Sequence, residues 1–122
     1  MKQMQKAYEK IRSHLIEQGR PASDAMTGSC FYRHPDGLMC AVGCMITDDV
    51  YRPSLEDCTV DDVGVRLALV KSGWPMTPEG FEMLHDMQSY HDKWKVGDDD
   101  GLRFVIEQID RVAEEYKLEV VK

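Results

Sequence analysis

Any chemistry in this 122-residue sequence has to come from its four cysteines, its four histidines or its acids. Cys30, Cys40, Cys44 and Cys58 are soft sulfur donors, and His34 could replace one of them. Zinc takes about four nitrogen or sulfur ligands in a tetrahedron. Cys40 and Cys44 share one face if the chain is helical there, and a chain reversal after Cys30 would return it to them. However, no C-x-x-C pair is present, and free cysteine is commonly a small buried hydrophobe, so zinc binding and plain packing both stay open. Cys40 is also a candidate nucleophile. At a helix N-terminus its thiolate would be stabilised by the helix dipole, with His91 as base and Asp92 as the orienting acid. Against this, adjacent residues on a helix point about 100° apart. His91 also shares an apolar stripe with Leu84, Met87 and Trp94, where a core histidine is the ordinary outcome. His85 and His91, six residues apart, lie about 120° apart around a helix and make no metal pair.

The acids offer a different kind of site. Asp48, Asp49, Glu56, Asp57, Asp61 and Asp62 crowd one stretch in which only Arg52 opposes them. They read either as a docking patch for a basic partner or as a solvated face. Asp98-Asp99-Asp100-Gly101 resembles the start of a calcium loop, but it lacks the alternating acids and closing Glu of an EF-hand, and helix capping explains it. No Gly-rich phosphate loop, Ser-His-Asp arrangement or paired-carboxylate motif is present.

The elements that must position these residues are mostly helical. Met4, Ala7, Tyr8, Ile11 and Leu15 predict an amphipathic helix over 2–18, stopped by Gly19 and Pro21. Residues 22–29 read as a loop. From Cys30 to Cys40 the pattern predicts a β-hairpin about the turn His34-Pro35-Asp36-Gly37, followed by a short helix just after Cys40. Thr59, Asp61 and Asp62 open a helix expected to bury Val63, Leu67 and Val70 and to stop at Gly73. Thr77-Pro78-Glu79 opens another, burying Phe81, Leu84, Met87, His91 and Trp94. The last helix begins after Asp98-Asp99-Asp100 and carries the cleanest stripe, from Leu102 through Val105, Ile109 and Val112 to Tyr116. Residues 118–121 form a short closing strand or fray. The fold class expected is therefore α+β, mainly α, with about four helices around a small hairpin in one domain spanning 1–122.

Size and charge narrow the function. A chain of this length buries a core without staples, and 43% hydrophobic residues exclude global disorder. The net charge of −7 argues against sequence-independent nucleic-acid binding, which depends on Lys and Arg displacing counterions from phosphate. No apolar run approaches the ~20 residues of a membrane span, and the polar start, Met1 to Lys6, is not a signal peptide. The expected location is the cytoplasm, where thiols stay reduced.

The stretch Cys30 to Ile46, with Cys40-Ala41-Val42-Gly43 at its centre and Asp48-Asp49-Val50-Tyr51 after it, resembles a family of small proteins encoded by bacteriophages and prophages. Residues Leu84 to Asp92 resemble that family's Leu-x-x-Leu-Gln-x-x-His-Asp stretch, with Met87 in place of the second Leu. One departure is Thr47, where the family's pattern has Pro. The resemblance implies a phage-type accessory protein in the host cytoplasm and no established activity. Small size, acidity and the absent catalytic motifs then point to a non-enzymatic role. The protein is expected to bind a partner that is basic or itself binds nucleic acid, for example as an inhibitor of a host defence system. The alternative is a zinc-binding or cysteine-dependent protein centred on Cys40.

Overall fold

The computed structural model describes residues 2–24, 26–27, 29–95, 97–98 and 100–121, and for Asp57 the backbone alone. Among these residues four helices follow in chain order: α1 (Lys2–Gln18), α2 (Val63–Lys71), α3 (Pro78–Asp92) and α4 (Gly101–Glu115). Two 3-10 turns, Gly43–Met45 and Pro53–Asp57, lie in the long connection between α1 and α2. Apolar spacing builds α1 as expected. Met4, Ala7, Tyr8, Ile11 and Leu15 are buried, and Gly19 (φ 72°) ends the helix with its N–H on the Leu15 carbonyl. At the head of α3 the Thr77 hydroxyl accepts the Gly80 N–H at 3.1 Å, and Pro78 takes the first helical position, where no donor is missed. α4 packs against both α1 and α3 and buries Val105, Ile109, Val112 and Ala113. Asp98 accepts the Asp100 N–H at its head, while Asp99 lies outside the described residues.

The expected hairpin is a correction. Among the described residues there is no strand, only the isolated antiparallel bridges Arg33–Met39 and Ser23–Cys30, so the fold is all-α rather than α+β. The turn itself forms, with Gly37 at φ 89° and its N–H on the His34 carbonyl at 2.9 Å. The ladder carries the His34 N–H on the Leu38 carbonyl and the Cys40 N–H on the Tyr32 carbonyl, and it ends there because Glu56 takes the Tyr32 N–H that would pair next while the Cys40 carbonyl accepts the Cys44 N–H. The backbone groups of Arg33 and Met39 face away from the ladder and are held by side chains. Glu56 accepts the Tyr32 N–H at 2.8 Å and the Arg33 N–H at 3.0 Å. Gln18 accepts the Met39 N–H and donates to the Met39 carbonyl, both at 2.9 Å. A buried backbone group needs a partner, and a side chain serves as well as a strand. The short helix expected after Cys40 is the single 3-10 turn at Gly43. Gly43 admits no side chain, since a Cβ there would sit 2.0 Å from the Tyr32 carbonyl oxygen.

Two other expectations need correcting. α2 turns the opposite way: it buries Val65, Ala68 and Leu69 and leaves Val63, Leu67 and Val70 outside. The extended 118–121 segment forms no strand; Gln5 pairs with both backbone groups of Glu119, and the Tyr8 hydroxyl accepts the Val121 N–H.

Candidate functional site

The side chains proposed as a catalytic set are placed as follows. Cys40 is fully buried, and its sulfur accepts the Gly43 N–H at 3.2 Å. Burial pushes its thiol far above the ordinary range, outweighing that hydrogen bond. His91 is equally buried, and its Nε2 accepts the Ala22 N–H at 3.1 Å. A nitrogen that accepts from a backbone amide carries no proton, so the proton sits on Nδ1, facing Asp92 Oδ1 at 3.1 Å. Asp92 therefore orients His91 although the two are adjacent on α3, but the imidazole lone pair is already used by the backbone. Among the described residues no hydrogen bond joins His91 to Cys40.

The four cysteines are placed as follows. The Cys44 thiol donates to the Ala41 carbonyl, and burial lifts its pKa to about 12. Cys30 lies 3.4 Å from the Ser23 hydroxyl and 3.6 Å from the Asp92 carbonyl, while Cys58 approaches the Ser54 carbonyl at 3.6 Å. Among the described residues no three His, Cys, Asp or Glu side chains are grouped so as to hold a metal ion. His34 instead bonds the backbone of its own turn, accepting the Asp36 N–H.

The acids divide by task. Glu56 is turned inward and holds Tyr32, Arg33 and the Tyr51 hydroxyl. Asp48 is 95% exposed and pairs with Arg33 at 2.6 Å. Asp49 is exposed, and the Thr47 hydroxyl keeps its carboxyl below the ordinary range. Asp61 lies 3.5 Å from Arg66 and 3.7 Å from His85, and Asp62 accepts the Thr59 N–H ahead of α2. The Asp57 side chain lies outside the described residues.

Two surface features escaped the sequence reading. One is the outer row of α2, with Val63 73%, Leu67 50% and Val70 46% exposed. Leu67 lines a groove of about 530 Å³ that runs between α2 and residues 49–55, with Leu55, Gly64 and Ala68 also in its walls. The sequence signal was available: α2 is apolar on two faces, so period alone does not say which face turns inward. The other is a cleft of about 400 Å³ between α3 and residues 30–32 and 56–60. It gathers residues from three separate stretches, and nothing local in the sequence announces it. Among the described residues no helix is long and apolar enough to cross a membrane. Comparison with known proteins finds no matching family model, curated protein or solved structure.

Proposed function

We propose that this protein acts by binding another protein, and that the outer face of α2 with its adjoining groove is the docking surface. The observation that carries the reading is the exposed row Val63, Leu67 and Val70, spaced four and three residues apart on one helix. Single apolar residues on a surface need no explanation, whereas a row beside a hollow has the geometry of an interaction site. The net charge of −7 favours a basic partner by raising the encounter rate. Asp48, Asp49, Asp61 and Asp62, all exposed, contribute to that field. The likeness of Cys40–Gly43 to phage-encoded proteins extends the reading to an accessory protein in the host cytoplasm, with inhibition of a host defence component as one such role.

The test is capture of a partner from bacterial lysate on the immobilised chain. A stoichiometric partner is expected with the natural sequence, and Val63→Glu combined with Leu67→Glu should release it without lowering the melting temperature, because both side chains are exposed. Recovery of no partner, or retention by the double variant, overturns the reading.

A further inference from the structure

The cleft between α3 and the two loop stretches shares no lining residue with the α2 groove. Its volume of about 400 Å³ falls within the range of small-ligand sites, roughly 300–1,000 Å³. What distinguishes it is a carboxylate held in place from behind. Asp92 Oδ1 accepts from Gln88 Nε2 at 2.7 Å and faces the Nδ1–H of His91 at 3.1 Å. Both supporting side chains are buried, Gln88 at 8% exposure and His91 at 0%. Each is anchored in turn to backbone, Gln88 accepting the Val42 N–H and His91 accepting the Ala22 N–H. The orientation of Asp92 is therefore set by the fold, while its side chain remains 43% exposed beside the cleft, with Oδ2 outside these two bonds.

Phe31, Tyr32 and Glu56 are also in the lining; Tyr32 is only 6% exposed and the Glu56 carboxylate is engaged by Tyr32, Arg33 and Tyr51, which leaves Asp92, among the described residues, as the carboxylate with a free oxygen beside the cleft. Among the described residues of the lining the formal cation is Lys93, whose Nζ lies 4.9 Å over the Tyr90 ring. His85, also in the lining, lies within 4 Å of Asp61 and Asp86. The field of Asp92 is felt across the site: with burial as the larger cause, it helps to push the Cys30 thiol and the Tyr32 hydroxyl upward. An anion is disfavoured in such a place. A planar or compact organic cation finds a fixed carboxylate with the partly exposed Phe31 in the same lining, and a carboxylate beside an aromatic side chain suits ammonium and guanidinium groups.

We propose that this cleft binds an alkyl guanidinium or primary ammonium group, with Asp92 as its counter-ion. The same chemistry reaches the cleft either as a free small amine or as an Arg or Lys side chain of a partner protein. The site stands on its own observations, so it is tested without reference to the α2 surface.

The experiment is an amide chemical-shift titration of the full chain with N-butylguanidinium and with N-butylurea, its neutral isostere. Saturable shifts at Phe31, Cys58 and Ser89 are expected with the guanidinium, at a dissociation constant of about 1 mM, as suits a fragment of this size. The urea should bind at least tenfold more weakly. Asp92→Asn, which keeps an oxygen for Gln88 and His91 but removes the charge, should weaken the guanidinium at least tenfold, and Asp48→Asn should not. In a second arm, the peptide acetyl-Gly-Arg-Gly-amide binding more tightly than N-butylguanidinium assigns the cation to a protein side chain, and weaker binding assigns it to a free amine; either result supports the cation site. Equal binding of the urea, an unchanged affinity in Asp92→Asn, or no saturable shift up to about 10 mM overturns the proposal. Because the guanidinium–urea comparison uses the natural sequence, a folding defect in the variant cannot mask the answer.

Discussion

In α4 the buried positions Val105, Ile109, Val112 and Ala113 are apolar and recur at helical spacing. In the connection between α1 and α2 much of what must be satisfied is backbone, and the groups that satisfy it are side chains from distant positions. Glu56 reaches back to Tyr32 and Arg33, Gln18 reaches forward to Met39, and Gln88 of α3 holds Val42. The helical layer is held by area removed from water, at ~25 cal/mol per Å², which is non-directional and tolerant of substitution. The connection adds apolar side chains such as Val42, Met45 and Ile46 to the same core, but its backbone also depends on a few directional side-chain bonds with little redundancy. Loss of one partner there leaves buried donors unpaired, at about 1–3 kcal/mol each.

The sharpest way to break this comparison is to remove one residue from each side. Leu84→Ala should cost about 4 kcal/mol by leaving a cavity in the core, and should lower amide protection throughout the helices. Glu56→Ala should cost about 3 kcal/mol by orphaning two backbone amides and the Tyr51 hydroxyl. Its signature in hydrogen exchange should be faster exchange at Tyr32 and Arg33 while α1 and α4 stay protected. Equal loss of protection in all helices would make the two regions one cooperative unit.

A pH series sharpens the same contrast. Burial and the bond to the Glu56 carboxylate push Tyr51 up to about 12, above its ordinary value near 10. A hydroxyl whose folded pKa is raised contributes stability that is complete below about pH 10 and disappears as pH rises through about 12. Chemical denaturation should therefore show stability declining across that window, and Tyr51→Phe should make the decline less steep, the buried Cys44 thiol, also raised to about 12, still contributing. An unchanged slope in the variant would remove Tyr51 from the account. The smallest effect is expected at a helix end. Thr77→Ala deletes the cap on the Gly80 N–H and should cost about 1 kcal/mol, read as a fall in melting temperature with no local change in residues 30–46.

The helical layer was legible because its signals are local. The spacing of Met4, Tyr8, Ile11 and Leu15, the Thr77-Pro78 start and the α4 stripe each specify a helix and its buried face within one stretch of chain. The hairpin reading failed for the opposite reason. The turn chemistry at His34–Gly37 is real, but whether a ladder extends from it depends on a competitor for the Tyr32 N–H, Glu56, which lies 24 residues away in the chain. The candidate sites divide in the same way. The interest of Asp92 and His91 was visible as a residue pair, but its meaning changed once the Ala22 N–H took the histidine's lone pair. Glu56 drew notice as a surface acid and turned out to be an internal clasp.

By itself the sequence determined the helices of the described residues, the Thr77 cap, the Gly19 stop, the Gly37 turn and an acidic surface, because propensity, period and net charge depend on near neighbours or on none. The tertiary structure decided which face of α2 is left outside, where the backbone of residues 30–40 finds its partners, and which side chains meet in the cleft. Those outcomes compare contacts between segments far apart in the chain, and a two-faced apolar helix or a donor with two available acceptors is resolved only when the competing partners are brought together in space.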